Sequence, residues 1–460
     1  MSLLIKNGRV ATSTEDFIGD VLCEGETITA VGQGLTAPSG AEVVDAMGKL
    51  VFPGFIDPHV HIYLPFMGAY AKDDYDSASR AALVGGTTSL IEMVCPGRQE
   101  DPVEAYKLWK SKAEGLSACD FAFHMGVTRF DETTPAALKE IVADGTASFK
   151  VFLAYKGALG VDDEELYKTL KLAKELGVIV TAHCENETLV SQLQAKLLAE
   201  GKTGPEWHEP SRPVQVEAEG VRHLMTFAEL TGAHVYVVHT SCKGAVHAAM
   251  EAKLRGVQAW VETVIPYLVL DDTAAQKPNF EGAKYVMSPP IRAARHQPFL
   301  WDALRSGAVS TVATDHAPFD FKGQKEMGRG DFTKIPNGIP SVEHRVRLLY
   351  THGVATGRID LPTFVNAAST QAAKLFGLYP RKGTIAPGAD ADLVVYDPSV
   401  KETLSAKTHL MATDYDAFEG WQVTGRCDLV TVRGKKMVEA GQFVGKLGHG
   451  KFLKREPTHF

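Results

Sequence analysis

Cysteine pairs and long apolar runs are both missing from this sequence. Its 460 residues include six cysteines with no CxxC pair, which argues against a disulfide framework and indicates reduced thiols. No apolar run reaches the roughly 20 residues that span a bilayer. The opening residues, MSLLIKNGRVATSTEDF, become polar too early for a signal peptide. We therefore expect a cytoplasmic protein with no membrane partner.

Basic blocks, sequence repeats and low-complexity segments are missing as well. The chain carries 48 basic and 56 acidic residues, a net charge of −8, which argues against a general nucleic-acid binder. The absence of a 20–50-residue repeat argues against a solenoid. Apolar residues make up 45% and charged residues 23%, as in ordinary globular proteins. The length exceeds that of one simple domain, so we expect a large domain and a smaller one.

The two ends of the chain are rich in strand-like runs broken by turn residues. Residues 3–52 read this way, and the pattern returns in ADLVVYDP and DLVTVRGKKMVEAGQFV near the other end. We predict one small β-sandwich domain built from residues 1–52 and 378–440, although the two ends could also be separate. Residues 441–460 are predicted to form a C-terminal tail, either a subunit contact or a solvated end.

The middle of the chain alternates between strand-like runs and helical stretches. The strand-like runs are LVFPGFIDPHVHI (50–62), 87–94, 119–127, 147–155, 178–184, 234–242, 257–264 and 309–319. Eight parallel strands joined by helices predict an α/β fold, a (β/α)8 TIM-like barrel over residues 53–377. An open doubly wound sheet is the alternative, but no GxGxxG follows the first strand.

One helix is marked with particular clarity. In DDEELYKTLKLAKELG (162–177), Leu166, Leu170, Ala173 and Leu176 recur at helical spacing. Gly177 then supplies a stop signal. The pattern predicts a helix with one buried face that ends at the glycine.

Ionisable side chains fall at the predicted carboxyl ends of five strands. They are His59, His61, Lys150, His183, His239 and Asp315. Barrel enzymes place their chemistry at these ends. Taken singly, each residue has an ordinary explanation: a hydrogen-bonded core histidine, an ion-paired lysine, or an aspartate capping a loop. Together they predict one metal centre with imidazole and carboxylate ligands.

A lysine among these ligands requires a separate explanation, because an ammonium group does not bind a metal ion. Neutral Lys150 could add carbon dioxide and become a carbamate, a carboxylate on a long stem. Its two oxygens could bridge two cations roughly 3.5–4 Å apart, which would hold one hydroxide between them. We expect zinc from the histidine count, while manganese or cobalt could substitute.

Several motifs resemble those of the amidohydrolase superfamily, and specifically its dihydropyrimidinase and hydantoinase branch. They are GFIDPHVH, SFKVFLAYK, VTAHCENE, VVHTSC, TDHAPF, FEGAKYVMSPPIR and GRGDFTKIPNGIPSVEHR. The resemblance implies that His59 and His61 bind a more buried metal, which Asp315 completes. It implies that His183 and His239 bind a more exposed one, with N6-carboxylated Lys150 as the bridge. It also implies a homotetramer.

The resemblance also implies a reaction, the hydrolysis of a cyclic amide. A metal-bridging hydroxide attacks the ring carbonyl, and Asp315 acts first as general base and then as general acid. Tyr155 donates its hydroxyl to the developing oxyanion. Ser288 and Asn337 bind the ring through main-chain atoms. Without the resemblance, Tyr155 could be a rim residue, and Ser288 and Asn337 could lie in ordinary turns.

The substrate class is argued from a missing cation. Dihydroorotases carry an arginine two residues after HxH that grips a carboxylate, and this chain has Tyr63 there. An apolar loop implies 5-substituted hydantoins or dihydropyrimidines, which would yield N-carbamoyl amino acids. Candidate lining residues are Leu64, Phe66, Met67, Cys95, Phe152 and Leu159, which could instead pack an interface. The alternatives are an allantoinase-like or other cyclic-ureide hydrolase, or a non-catalytic adaptor related to dihydropyrimidinases.

Overall fold

Two large β-sheets organise the chain in the computed structural model, which describes residues 2–458. The strands are β1 (Ser2–Ala11), β2 (Asp16–Glu24), β3 (Thr27–Gly32), β4 (Glu42–Asp45), β5 (Leu50–Pro53), β6 (Phe55–Val60), β7 (Pro65–Phe66), β8 (Ala69–Tyr70), β9 (Thr87–Val94), β10 (Asp120–Gly126), β11 (Ser148–Phe152), β12 (Ile179–His183), β13 (Val235–Val237), β14 (Ala259–Val264), β15 (Thr311–Ala313), β16 (Leu393–Thr403), β17 (Gln422–Val432), β18 (Lys435–Glu439) and β19 (Gln442–Phe443).

Helices occupy most of the connections between the strands. The α-helices are α1 (Tyr75–Val84), α2 (Pro102–Ala113), α3 (Thr134–Ala143), α4 (Asp163–Leu176), α5 (Glu187–Ala199), α6 (His208–Ser211), α7 (Val214–Thr231), α8 (Lys243–Leu254), α9 (Ile265–Val269), α10 (Gln297–Arg305), α11 (Arg345–Leu349), α12 (Leu361–Val365) and α13 (Gln371–Leu375). Short 3₁₀ turns lie at Pro205–Trp207, Asp272–Gln276, Glu281–Tyr285, Ala294–His296, Lys325–Gly328 and Phe332–Lys334, and π turns at Tyr350–Val354 and Asn366–Thr370.

The predicted eight-stranded barrel is confirmed. Its parallel strands run in the order β15-β14-β13-β12-β11-β10-β9-β6, and a bridge between Val60 and His316 joins the two ends of the sheet. The first predicted run (50–62) is two strands, because β5 pairs with the β domain and β6 begins the barrel. A side chain on the intervening Gly54 would lie 2.1 Å from the Thr88 hydroxyl, so the crossing point requires glycine.

Three barrel strands end earlier than the apolar runs predict. β11 stops at Phe152, β13 at Val237 and β15 at Ala313. The chain then turns through left-handed backbone at Tyr155 (φ 64°), His239 (φ 36°) and Asp315 (φ 51°). Tyr155, His239 and Asp315 therefore lie just beyond the strands and not within them, a position from which their side chains reach the barrel mouth.

The predicted β domain from both chain ends is also confirmed. Its nine strands form one continuous sheet, in which β16 pairs antiparallel with β5 and β5 runs parallel to β1. A core of its own combines side chains from both ends, including Ile5, Val21, Leu393 and Leu429. The two termini thus fold together and lie beside the barrel.

The predicted helix at 162–177 appears as α4. Asp162 caps its first turn by accepting a hydrogen bond from the Glu165 amide (2.8 Å), and Gly177 ends it in the left-handed conformation (φ 69°). Leu166, Leu170 and Ala173 of the predicted stripe are buried, as the helical spacing requires, and Leu176 is half-buried.

The segment predicted as a tail packs against its own barrel over the described part. The Phe121 carbonyl accepts a hydrogen bond from Leu453 N (2.7 Å), and buried Arg455 donates to the Phe123 carbonyl. β19 also falls in this segment. The last two residues of the chain (459–460) lie outside the described residues. Between residues 2 and 458 we find no helix with the length and apolarity needed to cross a bilayer.

Candidate metal centre and substrate cavity

The closure of the barrel brings together three of the predicted ligands. Asp315 N donates to the His59 carbonyl (3.0 Å), and His61 N donates to the His316 carbonyl (2.7 Å). The Asp315 carboxylate then lies 3.1 Å from His59 Nε2 and 3.2 Å from His61 Nε2. These three buried side chains form a group that could hold a metal ion.

A second pair of predicted ligands lies beside this group. His183 is the last residue of β12, and its Nδ1 lies 3.0 Å from His239 Nε2. The His239 ring centre is 5.3 Å from that of His59. The two imidazole pairs are therefore neighbours at the barrel mouth.

Lys150 reaches the same cavity from β11. Its Nζ is fully buried and finds no hydrogen-bond partner among residues 2–458. Burial lowers the pKa of Lys150 to about 8, so the neutral amine is accessible near physiological pH. An unpartnered ammonium would be costly in this position, whereas a neutral amine is the form that reacts with carbon dioxide.

Two glutamates that the sequence analysis missed bond the outer ring nitrogens of His59 and His183. The Glu262 carboxylate accepts from His59 Nδ1 (2.7 Å) and from the His239 amide (2.8 Å). His183 Nε2 lies 2.9 Å from Glu185, which also accepts from Arg212 (2.5 Å). Such partners fix the ring orientation of histidine ligands. A glutamate inside the apolar run VQAWVETV was the available signal for Glu262.

Electrostatics at the mouth favour the neutral form of three imidazoles and the ionised form of the aspartate. Burial lowers the pKa of His59, His183 and His239 below the ordinary histidine value. Burial alone would raise the pKa of Asp315, but the adjacent His59 and His61 lower it overall. Neutral imidazoles beside a carboxylate are the protonation states that bind a divalent cation.

The residues predicted to contact substrate lie over this cluster. Tyr155 packs against His183 at 5.3 Å between ring centres, and its hydroxyl is 3.5 Å from the Asn337 side-chain amide. Burial raises the pKa of Tyr155, so the phenol keeps its proton for donation. Ser288 and Asn337 lie in two separate loops and line the same cavity.

Most of the predicted apolar lining also surrounds this cavity. Leu64, Phe66, Phe152 and Leu159 line it, together with Ala317, which the sequence analysis did not name. Met67 and Cys95, which were also predicted, are not among the described residues that line the cavity. Met67 sits in the tight turn between β7 and β8 (φ 51°), and Cys95 is buried in the core cluster behind the wall.

Tyr63, which replaces the arginine of dihydroorotases, points away from the cavity. Its ring packs on Trp109 (4.9 Å between ring centres) and under Lys112 Nζ. The nearest cation over Tyr155 is Arg212, 5.6 Å from the ring centre, and it is paired with Glu185. Among the residues between 2 and 458 that line the cavity, Lys150 is the one lysine and there is no arginine. Apart from Lys150, the lining therefore offers no free cation to a substrate carboxylate.

The donor set fits two divalent metal ions. Lys150 Nζ lines the cavity and has no hydrogen-bond partner in the described chain, and buried His59 Nε2 lies 3.1 Å from the Asp315 carboxylate. Four imidazoles, one carboxylate and one lysine that can become a carbamate match the ligands that zinc and similar ions prefer. Ligand atoms with no other partner, already directed into one cavity, are what such a site requires.

Comparison with known proteins agrees with this geometry. A profile described as "Amidohydrolase family" matches residues 50–437. A solved D-hydantoinase (dihydropyrimidinase) from Thermus sp. is 62% identical, with a TM-score of 0.98 and 100% of both chains covered. The D-hydantoinase of Geobacillus stearothermophilus is 48% identical over 99% of this chain and 97% of that protein. The dihydropyrimidinase of Rattus norvegicus is 40% identical over 99% of this chain and 89% of that protein.

The fold and the strand-end ligand group define a barrel hydrolase with a candidate metal centre. The chain belongs to the amidohydrolase family, and within it to the group of hydantoinases and dihydropyrimidinases.

Proposed function

We propose that this enzyme opens the ring amide of 5-substituted hydantoins, dihydropyrimidines or both, and releases N-carbamoyl amino acids. Two divalent ions, zinc in the first instance with manganese or cobalt as substitutes, would be held by six side chains. They are His59, His61, Lys150 as its carbamate, His183, His239 and Asp315. One observation carries the proposal: five of these groups line one buried cavity whose remaining wall is largely apolar, and His59 lies against two of them, Asp315 and His239.

The metal ions, when bound, would supply Lewis-acid chemistry that polarises the ring carbonyl and makes water nucleophilic at neutral pH. The protein's own residues move the protons. Asp315, ionised and adjacent to His59 and His61, accepts the proton of the attacking water and returns it to the leaving ring nitrogen. Tyr155 keeps its proton and donates a hydrogen bond to the carbonyl oxygen as charge develops there.

Recognition of the ring is divided between polar main chain and apolar side chains. The loops that carry Ser288 and Asn337 would present backbone amides and carbonyls to the alternating N–H and C=O groups of the ureide edge. Leu64, Phe66 and Leu159 would receive the ring substituent. A neutral or hydrophobic substituent suits this wall, whereas a carboxylate would have no bidentate partner.

A substrate panel on purified protein of measured metal content tests the proposal. The panel contains hydantoin, a 5-aryl hydantoin, dihydrouracil, allantoin and dihydroorotate. Ring opening is measured as the loss of ultraviolet absorbance. We expect the hydantoins and dihydrouracil to be opened, the 5-aryl compound efficiently, and dihydroorotate to be the poorest substrate. Fastest turnover of allantoin or dihydroorotate would refute the apolar-pocket argument. No turnover after supplementation with metal and bicarbonate would favour a non-catalytic adaptor.

We also propose a homotetramer. Leu230 on α7 and Leu254 on α8 are 76% and 89% exposed, and each offers an apolar side chain to a subunit contact. The C-terminal segment stays a candidate for a second contact. Light scattering coupled to size-exclusion chromatography measures the mass directly, and a monomer of 49.8 kDa would contradict the proposal.

A further inference from the structure

A buried lysine outside the metal centre joins the two loops that face the substrate cavity. Lys325 lies in the turn Lys325–Gly328 and is fully buried, with no carboxylate bonded to its Nζ among residues 2–458. Its Nζ instead donates to three main-chain carbonyls: Val286 O (2.8 Å), Pro336 O (2.7 Å) and Gly338 O (2.7 Å). Three acceptors match the three N–H bonds of a protonated amine, while burial lowers the pKa of Lys325 and a neutral amine would still donate two hydrogen bonds.

The three carbonyls belong to the two loops that carry Ser288 and Asn337. Val286 lies two residues before Ser288, while Pro336 and Gly338 flank Asn337 on both sides. Ser288 and Asn337 both line the cavity, yet they are 49 residues apart in the chain (337 − 288) and belong to different loops. One buried amino group therefore bonds both loops that line the cavity.

The surrounding contacts leave this junction little freedom. Gly338 N also donates to the Val286 carbonyl (2.9 Å), so the two loops touch at the point that Lys325 holds. A side chain on Gly338 (φ 149°) would lie 2.4 Å from the Ala317 carbonyl, which presses this loop against the segment after Asp315. His208 Nε2 bonds the Met287 carbonyl (2.9 Å) and steadies the other loop.

We propose that Lys325 is a positioning residue that sets the distance between the Ser288 and Asn337 loops and so determines affinity for the ureide edge. The inference rests on the proposed function, since it concerns how that substrate would be gripped. Main-chain contacts to the ring edge act alike in the ground state and the transition state, so their loss raises KM and leaves kcat nearly unchanged.

The test compares Lys325→Met with Lys322→Met, the same substitution on an exposed side chain three residues earlier in the same loop. Steady-state kinetics with hydantoin gives kcat and KM, and metal content is measured in parallel. Hydrogen exchange by mass spectrometry follows peptides covering 284–290 and 334–340, with 148–152 as an internal reference. For Lys325→Met we expect KM to rise about tenfold, kcat to change less than about twofold, and both loop peptides to exchange faster.

A milder variant keeps the test decisive if Lys325→Met does not fold. Lys325→Gln retains two N–H donors for the three carbonyls, so it should give a smaller rise in KM and a smaller loosening of the same two peptides. Lys322→Met should match the unsubstituted enzyme in every measurement.

Each other outcome overturns a defined part of the inference. Unchanged exchange in both loop peptides would show that Lys325 does not hold the loops. Faster exchange with unchanged KM, or a fall in kcat alone, would make Lys325 merely structural. If the unsubstituted enzyme opens no ring, the proposed function fails, while the exchange data still decide whether Lys325 joins the two loops.

Discussion

Two buried lysines at opposite ends of the barrel show how differently one fold can treat the same residue. At the mouth, Lys150 Nζ has no hydrogen-bond partner within residues 2–458, and burial lowers its pKa to about 8. At the other end, Lys382 Nζ lies 2.6 Å from Asp120, 2.7 Å from Asp392 and 2.9 Å from Asp390. Burial would lower the pKa of Lys382 too, but the three carboxylates raise it overall.

The neighbours of the two lysines indicate that the two sites have different roles. Asp120 opens β10 and also receives Arg433, which follows β17, so the Lys382 cluster ties the barrel to the β domain. Every charge there has a partner, which a buried ion cluster needs in order to be tolerated. The mouth instead leaves ligand atoms unpartnered and holds His239 and Asp315 in left-handed backbone, a conformation that costs energy and is typical of functional sites.

Replacing the unpartnered lysine should have the largest effect on activity and little effect on folding. We expect Lys150→Ala to lower kcat/KM about 10³-fold or more and to lose one of the two metal ions, because no other group can bridge them. Elemental analysis and steady-state kinetics measure both losses. Lys150→Arg should fail equally, since a guanidinium group stays protonated and does not form a carbamate.

Rescue separates a lost ligand from a damaged fold. A small carboxylic acid such as propionate, added to Lys150→Ala, should restore part of the metal content and part of the activity by occupying the space of the carbamate. The thermal unfolding midpoint of the metal-free variant should not fall. Full activity and full metal content in Lys150→Ala would show that the lysine is not a ligand.

Replacing the paired lysine should reverse this pattern. Lys382→Met removes a cation from buried Asp120 and Asp392 and from half-buried Asp390, and only Asp120 keeps a second cationic partner in this cluster, Arg433. We expect the free energy of unfolding to fall by about 3–5 kcal/mol. Denaturant unfolding of the metal-free protein measures it, with Lys446→Met on an exposed side chain as the control. The activity of the folded fraction per bound metal should stay within about twofold. A large loss of kcat/KM at unchanged stability would contradict the division between the two ends.

Local patterns account for what could be predicted from sequence. The apolar runs gave the number and order of the barrel strands, and the capped stripe of α4 gave its end at Gly177 within one residue. The strand-end rule predicted six ionisable residues at one opening, since parallel strands in a barrel present their carboxyl ends to the same side, and five of the six line one cavity. These predictions succeed because periodicity and strand direction are properties of short segments.

What escaped prediction depends on contacts between distant segments. An apolar run does not reveal that β13 ends at Val237, because the left-handed residue that follows, His239, donates its amide to Glu262 of a neighbouring strand. Glu262 bonds His59 across 203 residues of sequence, and Lys325 bonds Val286 across 39. Met67 and Cys95 were predicted to line the pocket, but Met67 lies in the turn between β7 and β8, Cys95 is buried, and neither belongs to the cavity lining.

The smallest effect should come from the carboxylate that supports the mouth without entering the cavity. Glu262 bonds His59 and the His239 amide with one oxygen and the Tyr236 hydroxyl (2.8 Å) with the other. Burial raises the pKa of Glu262 to about 8, so the metal-free protein tolerates a neutral group there. We therefore expect Glu262→Gln to change the stability of the metal-free protein by less than about 1 kcal/mol.

The same change should weaken metal binding, because a neutral amide orients and polarises His59 less strongly than a carboxylate. We expect metal affinity to fall about 10–100-fold and activity at saturating metal to recover most of its value. Competition with a chromophoric chelator measures the affinity, and Glu229→Gln on the exposed face of α7 is the matched control. Because Glu262 contacts a residue from each imidazole pair, both metal ions should be lost together on titration with chelator. Loss of one ion at a time, with the other retained at full affinity, would show that Glu262 does not couple the two halves of the centre.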